Sequence, residues 1–397
     1  LYKDLVIANR AGTLPMLELS MIAAQQERTN DMISWLEKAR AAAPYETRAR
    51  LLLAEYYLQN DQPQKAEIYT KEAIAQSPEQ ADIITLHAKI LISQARDKEA
   101  IPILNELAAK QPESLSAHTL LGEAYLRQNR LSYSRKHLRK ALALQKDSII
   151  VNSLLAELEL KAGNPRESLK YARSIQALQP ELYIGYMLEG NVWMTRQDYD
   201  RAGIAYNTAW KHQQTAQLAN MLFLASKHTA DLDSAIQPLL IWLENNPDDN
   251  LTRLKLATIY QSTKEHDKAI NEYEVLLEKT PDDSTILNNL AWLYSLKDDP
   301  KAVLMAESAY RLSPHNPAVH DTYGWILVQQ GQVEKGLRLI RQALQAMPEN
   351  PAIRYHHAVA LLESGNTAEA KQLLVKLLNQ NEPFEGRDEA KCLLSKL

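Results

Sequence analysis

With 397 residues, 45% hydrophobic and 24% charged, the chain is too apolar to be disordered, yet it lacks the ~20-residue apolar run of a membrane helix. Its 45 basic and 49 acidic residues leave a net charge of −4 with no basic block, which excludes the electrostatic footprint of a nucleic-acid binder. A single cysteine, Cys392, excludes an internal disulfide and a multi-thiolate metal site, and 11 Gly and 2 Phe amid abundant Ala and Leu favour helices over a Gly-rich strand fold.

The opening LYKDLVIANRAG has no initiator Met, and Leu5, Val6 and Ile7 read as the end of a helix whose start is missing. Residues 1–12 are therefore expected to be the end of a truncated preceding repeat in a longer protein, with any targeting segment upstream. From there a ruler of prolines runs along the chain. Pro44, Pro78 and Pro112 are 34 residues apart, Pro180 falls two further periods on, and Pro247, Pro281, Pro314 and Pro348 continue at 34, 33 and 34. Ten residues after each marker, and after Lys146 where a further marker would fall, stands a small residue (Ala54, Ala88, Gly122, Ala156, Gly190, Ala257, Ala291, Gly324, Ala358). A second small position follows at offset 22, as in Ala66, Ala100, Ser134, Ser168, Ala202, Ala269, Gly336 and Ala370. Offsets 6, 9, 10 and 13 make one stripe of a helix A, and offsets 22 and 29 lie on a helix B. Small residues at offsets 10 and 22 let the two backbones approach closely. Gly163 and Gly365 are placed to end an A helix in the left-handed conformation. Asn316 and Asn350 are placed as N-caps before Pro317 and Pro351, and the pairs Asp248-Asp249 and Asp282-Asp283 start their A helices, where capping and dipole compensation account for them without catalysis.

Offset 13 is often aromatic or Leu (Tyr57, Leu91, Tyr125, Trp193, Tyr260, Tyr294, Leu327, Leu361), and a 34-residue helix-turn-helix unit with this small–aromatic–small–Pro spacing resembles the tetratricopeptide repeat (TPR). The resemblance implies an all-α fold, a TPR-type α-solenoid wound as a right-handed superhelix. About eleven repeats begin near Thr13, Thr47, Ala81, Leu115, Ile149, Tyr183, Gln217, Asn250, Ser284, Pro317 and Pro351. Residues 13–216 form a first run of repeats and 217–384 a second. Residues 385–397 are expected to be a capping helix over the last apolar face. The unit near 211–240 lacks its marker and holds Pro238 inside helix B, as Pro102 sits inside an earlier one. An irregular junction or plain repeat degeneracy are both open there.

Offsets 7, 11 and 14 form a separate stripe of helix A, expected along the inner wall of the stack. Its middle is polar and charged (Lys89, Glu123, Glu157), whereas its C-terminal end gathers Asn288, Trp292, Asp321, Trp325 and Tyr355, with Asn191 further back. Trp292 and Trp325 are expected to be neighbours on adjacent A helices. Two roles are open for them: filling the gap between repeats, or offering rings to a ligand while amides and carboxylates give direction. Trp193 reads as core, and Trp35, Trp210 and Trp242 as core or helix-B packing. His320 and His357 fall on the buried stripe, so His356-His357 reads as core histidine rather than a metal pair. No metal-ligand spacing, phosphate loop or nucleophile motif occurs, and neither catalysis nor a cofactor is expected. The version of the repeat that clamps a C-terminal carboxylate is similar in fold but carries Lys and Asn at offsets 7 and 11. No repeat here has that pair, the nearest being Met187 with Asn191.

The final ~120 residues, from NNLAWLY through DTYGWILVQQGQVEKGLRLI to EGRDEAKCLLSKL, resemble the TPR lipoproteins of bacterial exosortase (PEP-CTERM) protein-sorting systems. That resemblance implies the periplasmic side of the bacterial envelope, a lipid anchor outside this fragment as the only membrane contact, and a link to exopolysaccharide production. The function expected is a scaffold binding a protein or peptide partner in its concave groove. The alternatives are a carbohydrate-binding subunit of a polysaccharide export apparatus and the targeting domain of a larger enzyme.

Overall fold

The computed structural model describes residues 12–380, 384 and 386–397; the reading of residues 1–12 as a preceding repeat lies, apart from Gly12, outside the described residues. Among the described residues there are 23 α-helices and no strand. The chain divides into two compact units, Leu1–Asp231 and Leu232–Leu397.

In the first unit, six A–B pairs follow one another: α1 (Leu14–Gln25) with α2 (Thr29–Ala42), α3 (Arg48–Gln59) with α4 (Pro63–Gln76), α5 (Ala81–Ser93) with α6 (Asp97–Lys110), α7 (Leu115–Arg127) with α8 (Leu131–Leu144), α9 (Ile149–Lys161) with α10 (Pro165–Leu178), and α11 (Tyr183–Thr195) with α12 (Tyr199–His212). α13 (Ala216–Ser226) ends this unit. The second unit opens with α14 (Leu232–Asn245) and continues with α15 (Asn250–Ser262) and α16 (His266–Lys279), α17 (Ser284–Ser295) and α18 (Lys301–Leu312), α19 (Pro317–Gln329) and α20 (Val333–Ala346), α21 (Pro351–Glu363) and α22 (Thr367–Asn379), and the closing α23 (Arg387–Ser395). Every expected repeat start lies within one residue of the first residue of an A helix.

The local chemistry that starts and stops these helices recurs with the repeat. Asp249, Asp283, Asn316 and Asn350 each accept backbone N–H groups of the first turn, so the N-terminal donors are satisfied where the sequence places a cap. At the other end of helix A the chain turns through a left-handed residue. Gly163, Gly331 and Gly365 take this role, but so do Ala95, Asn129, Gln197, Lys264 and Asp298 at equivalent positions. The closing bonds are of Schellman type: Ala95 N–H donates to Ile92 O at 2.9 Å and Arg96 N–H to Leu91 O at 2.8 Å. Glycine therefore marks this turn without being required by it.

Helices A and B of a pair meet at the two small positions. Ser134 Oγ donates to Gly122 O and Ser168 Oγ to Ala156 O, both at 2.7 Å. In the tenth repeat both positions are glycine, and a Cβ on Gly336 would stand 2.4 Å from Gly324 O. The core clusters then run from one pair into the next. Leu91 of α5, Leu104 of α6 and Leu121 of α7 share one, and Val328 of α19, Ile340 of α20 and Leu361 of α21 share another. Each pair thus covers an apolar flank its neighbour cannot bury alone. α23 covers the last one, with Ala390 buried beside Ala358 and Leu374. Pro102 and Pro238 do not interrupt their helices: α6 and α14 run through them, held by buried residues on the same face, Ala235, Ile236, Leu239 and Leu243 in the case of Pro238. One lost backbone bond is outweighed there by packing. No helix among the described residues is long and apolar enough to cross a membrane.

A candidate docking cleft in the second unit

Three successive A helices of the second unit, α17, α19 and α21, present their offset-7 and offset-11 side chains to a common region. Residues four apart on a helix share a face, so Asn288 with Trp292, Asp321 with Trp325, and Tyr355 one repeat on form a ladder. What joins the rungs is His356. Its Nδ1 lies 2.9 Å from both carboxylate oxygens of Asp321. A carboxylate only accepts, so Nδ1 carries the proton and donates it. The imidazole stacks on Trp325 at 4.3 Å between centroids, and Trp292 and Tyr355 meet it at 5.7 Å and 5.9 Å. The two indoles, on the adjacent A helices α17 and α19, are both neighbours of this buried histidine.

Trp292 faces outward from that cluster into two clefts. The larger, of about 780 Å³, is walled by Thr258, Gln261, Tyr273, Asn289 and Trp292 on one side and by Phe384, Gly386 and Arg387 on the other. The smaller, of about 270 Å³, is lined by Asn288, Asn289, Trp292, Asp321, Asn350 and His356 among others, and shares Gln261, Asn289 and Trp292 with the larger. The far wall is set by the turn before α23: Tyr355 packs on Phe384 at 6.0 Å, and a Cβ on Gly386 would come within 2.6 Å of the Tyr355 ring. Gly386 has φ +90°, so glycine serves both the close approach and the backbone there. Burial raises the Tyr355 hydroxyl pKa above the ordinary phenol value.

A hydrogen-bond relay stiffens the shared wall. Asn289 Nδ2 donates to Tyr273 Oη at 3.1 Å, and Tyr273 Oη donates to Gln261 Oε1 at 2.9 Å. Asn288 differs from its neighbour, since its buried Oδ1 has no hydrogen-bond partner. Leaving such an acceptor unpaired costs about 1–3 kcal/mol.

The structure brings Asn288, Trp292, Asp321, Trp325 and Tyr355 together around His356. It does not bring Asn191 to them. Asn191 belongs to the first unit, where it accepts from Tyr206 Oη at 2.7 Å inside its own repeat. His357, expected to be a satisfied core histidine, is buried, but neither of its ring nitrogens has a hydrogen-bond partner. Burial lowers its pKa. His320 is buried and its Nε2 lies 2.7 Å from Pro314 O. Of the other tryptophans, Trp193 is buried as expected, Trp210 packs against the same cluster, and Trp242 donates to Asp249 Oδ2 at 2.6 Å. Inspection of offsets 7 and 11 missed His356, which sits at offset 8. The signal available was the 35-residue spacing from Asp321 to His356, one more than the repeat.

TPR family models match residues 85–149 and 153–217 in the first unit and 327–385 in the second. No curated protein matches the chain. Similar solved structures include PilW, a widely conserved type IV pilus biogenesis factor, with 18% identity and a TM-score of 0.49 over 54% of this chain and 99% of that one. Pseudomonas aeruginosa pilF has 18% identity and a TM-score of 0.43, covering 55% and 96%. A thermophilic TPR protein of Thermus thermophilus has 14% identity and a TM-score of 0.42, covering 45% and 99%. Together with the paired helices and their small–small contacts, the matched segments establish that the chain carries tetratricopeptide repeats in both units and has the all-helical TPR fold.

Proposed function

We propose that this chain is a non-catalytic docking scaffold that takes a protein or peptide partner in the clefts of its second unit. TPR segments typically mediate protein–protein interaction, and the observation that carries the site is Trp292. It is a half-buried ring on the wall shared by two clefts, ringed by Asn288, Asn289 and Asp321. Rings give contact area at low entropic cost, and the amides and carboxylate give direction. The test is a photo-crosslinking residue placed at Asn289 in the full-length protein in its source cell. A discrete protein adduct is expected, absent when the same residue is placed at Lys335 on α20. An Asn289 variant that captures no protein sinks the reading.

The setting of that scaffold is the bacterial envelope, with a lipid anchor in the full-length protein and a link to exopolysaccharide and protein-sorting machinery. What supports this is the resemblance of the last ~120 residues to the exosortase-associated lipoproteins. Labelling the full-length protein with an alkyne fatty acid tests the anchor, and an unlabelled protein refutes it. One observation favours a carbohydrate ligand as a second reading: an accessible indole beside the Asn289–Tyr273–Gln261 relay, a pairing that can stack a sugar face and meet its hydroxyls. Saturable quenching of tryptophan emission by soluble polysaccharide, lost in Trp292→Ala, would favour that ligand over a protein.

A further inference from the structure

In the third repeat of the first unit a histidine stands where other repeats bury leucine. Offset 9 is a fully buried Leu in five of them (Leu53, Leu121, Leu155, Leu256, Leu290), whereas α5 places His87 there, 7% exposed. Its Nδ1 lies 2.9 Å from Thr70 Oγ1 on α4, and that hydroxyl also lies 3.1 Å from Glu67 O. A hydroxyl has one proton and a carbonyl only accepts. Both contacts are therefore satisfied together when Thr70 donates to Glu67 O and His87 Nδ1–H donates to Thr70. Burial lowers the His87 pKa below the ordinary 6.5, so at pH 7.5 the ring is neutral and Nε2 is a bare acceptor. Among the described residues nothing donates to that nitrogen, and His87 lines a cleft of about 390 Å³.

The cleft is walled by Ile74 of α4, Ile84 of α5, and Ile103 and Leu107 of α6. Its charged lining is balanced, two lysines against two glutamates, and already paired: Lys110 with Glu79 and Glu106, and Lys71 with Glu67. An ion gains little there, whereas an apolar body gains by burial. Its size falls in the ~300–1,000 Å³ range of sites for whole small molecules rather than single side chains. A cavity of ~150 Å³ with such walls holds benzene, so this one has room for about two fused rings. We propose that this cleft binds a small, neutral, apolar molecule carrying a single hydrogen-bond donor, as a phenol does, which it donates to His87 Nε2. The site lies in the first unit and is independent of the docking reading above.

The test is calorimetric titration of the full chain at pH 7.5 with 2-naphthol and with 2-methoxynaphthalene, which keeps the rings and lacks the O–H. The expected result is saturable binding of 2-naphthol at one site, with the methyl ether weaker by about 5- to 100-fold, because it leaves the buried acceptor unpaired. His87→Leu installs the residue that five other repeats bury at this offset, and should erase the preference for 2-naphthol. Ile103→Trp fills the cleft from its half-buried wall, leaves His87 in place, and should abolish binding of both probes. Equal binding of the two probes to the wild type, or a preference that survives His87→Leu, overturns the hydrogen-bond assignment. Absence of saturable 2-naphthol binding, or binding unchanged by Ile103→Trp, overturns the site itself.

Discussion

Repeats 4 and 5 in the first unit and repeat 10 in the second make the same hairpin contact with different atoms. In the former a serine on helix B reaches the carbonyl of helix A, Ser134 to Gly122 and Ser168 to Ala156. In the latter, Gly324 and Gly336 bring backbone against backbone. Their inner faces differ more. Glu123 and Glu157 occupy the offset-11 position in the first unit, and burial raises the Glu123 carboxyl pKa, whereas Trp292 and Trp325 occupy it in the second. The lesson is a division of labour within each repeat. The hairpin contact accepts any group small enough, whereas the offset-11 position of the inner face carries residues as different as Glu123, Asn191 and Trp292.

The most severe challenge to this contrast is to enlarge the tightest contact. Gly336→Ala forces a methyl against the Gly324 carbonyl and should cost about 2–3 kcal/mol, in the range for overpacking. Ser134→Ala removes one hydrogen bond without crowding and should cost about 1 kcal/mol. Urea unfolding of the full chain, with hydrogen exchange read in α19–α20 and in α7–α8, measures both. Equal losses would mean that the two contacts are not alternatives of different tightness.

A second pair of variants probes the inner face. Trp325 stacks on buried His356, so Trp325→Ala should destabilise the second unit by about 2 kcal/mol, part of the cost of truncating a fully buried Trp. Trp292 stands on the cleft wall, and Trp292→Ala should cost less than about 1 kcal/mol while abolishing partner binding. If the two variants lose stability equally, Trp292 is a packing residue and the cleft has no reserved ring.

The mildest substitution has the opposite sign. Ala95 holds φ +58° where other repeats use glycine. Ala95→Gly should stabilise the first unit by about 0.5–1 kcal/mol, because the left-handed penalty on an L side chain is relieved and little regular helix is lost. A fall in thermal midpoint would show that the methyl makes contacts worth more than the strain.

Much of this molecule was legible from spacing alone. The 34-residue interval located the A helices, Asn316 and Asn350 announced their caps, and the small residues at offsets 10 and 22 foretold the hairpin contacts. These features depend on residues near in sequence or on one contact repeated in every unit, so periodicity exposes them. The polar and aromatic rungs Asn288, Trp292, Asp321 and Tyr355 were visible for the same reason. Only the folded chain disclosed that His356 binds the rungs together, that Asn191 is spent within its own repeat, and that Phe384 and Gly386 wall the cleft opposite Trp292. Each of those depends on a contact that occurs once, at a spacing the repeat does not share. A period reports what every unit must do to pack, and says nothing of what one unit alone does after packing is satisfied.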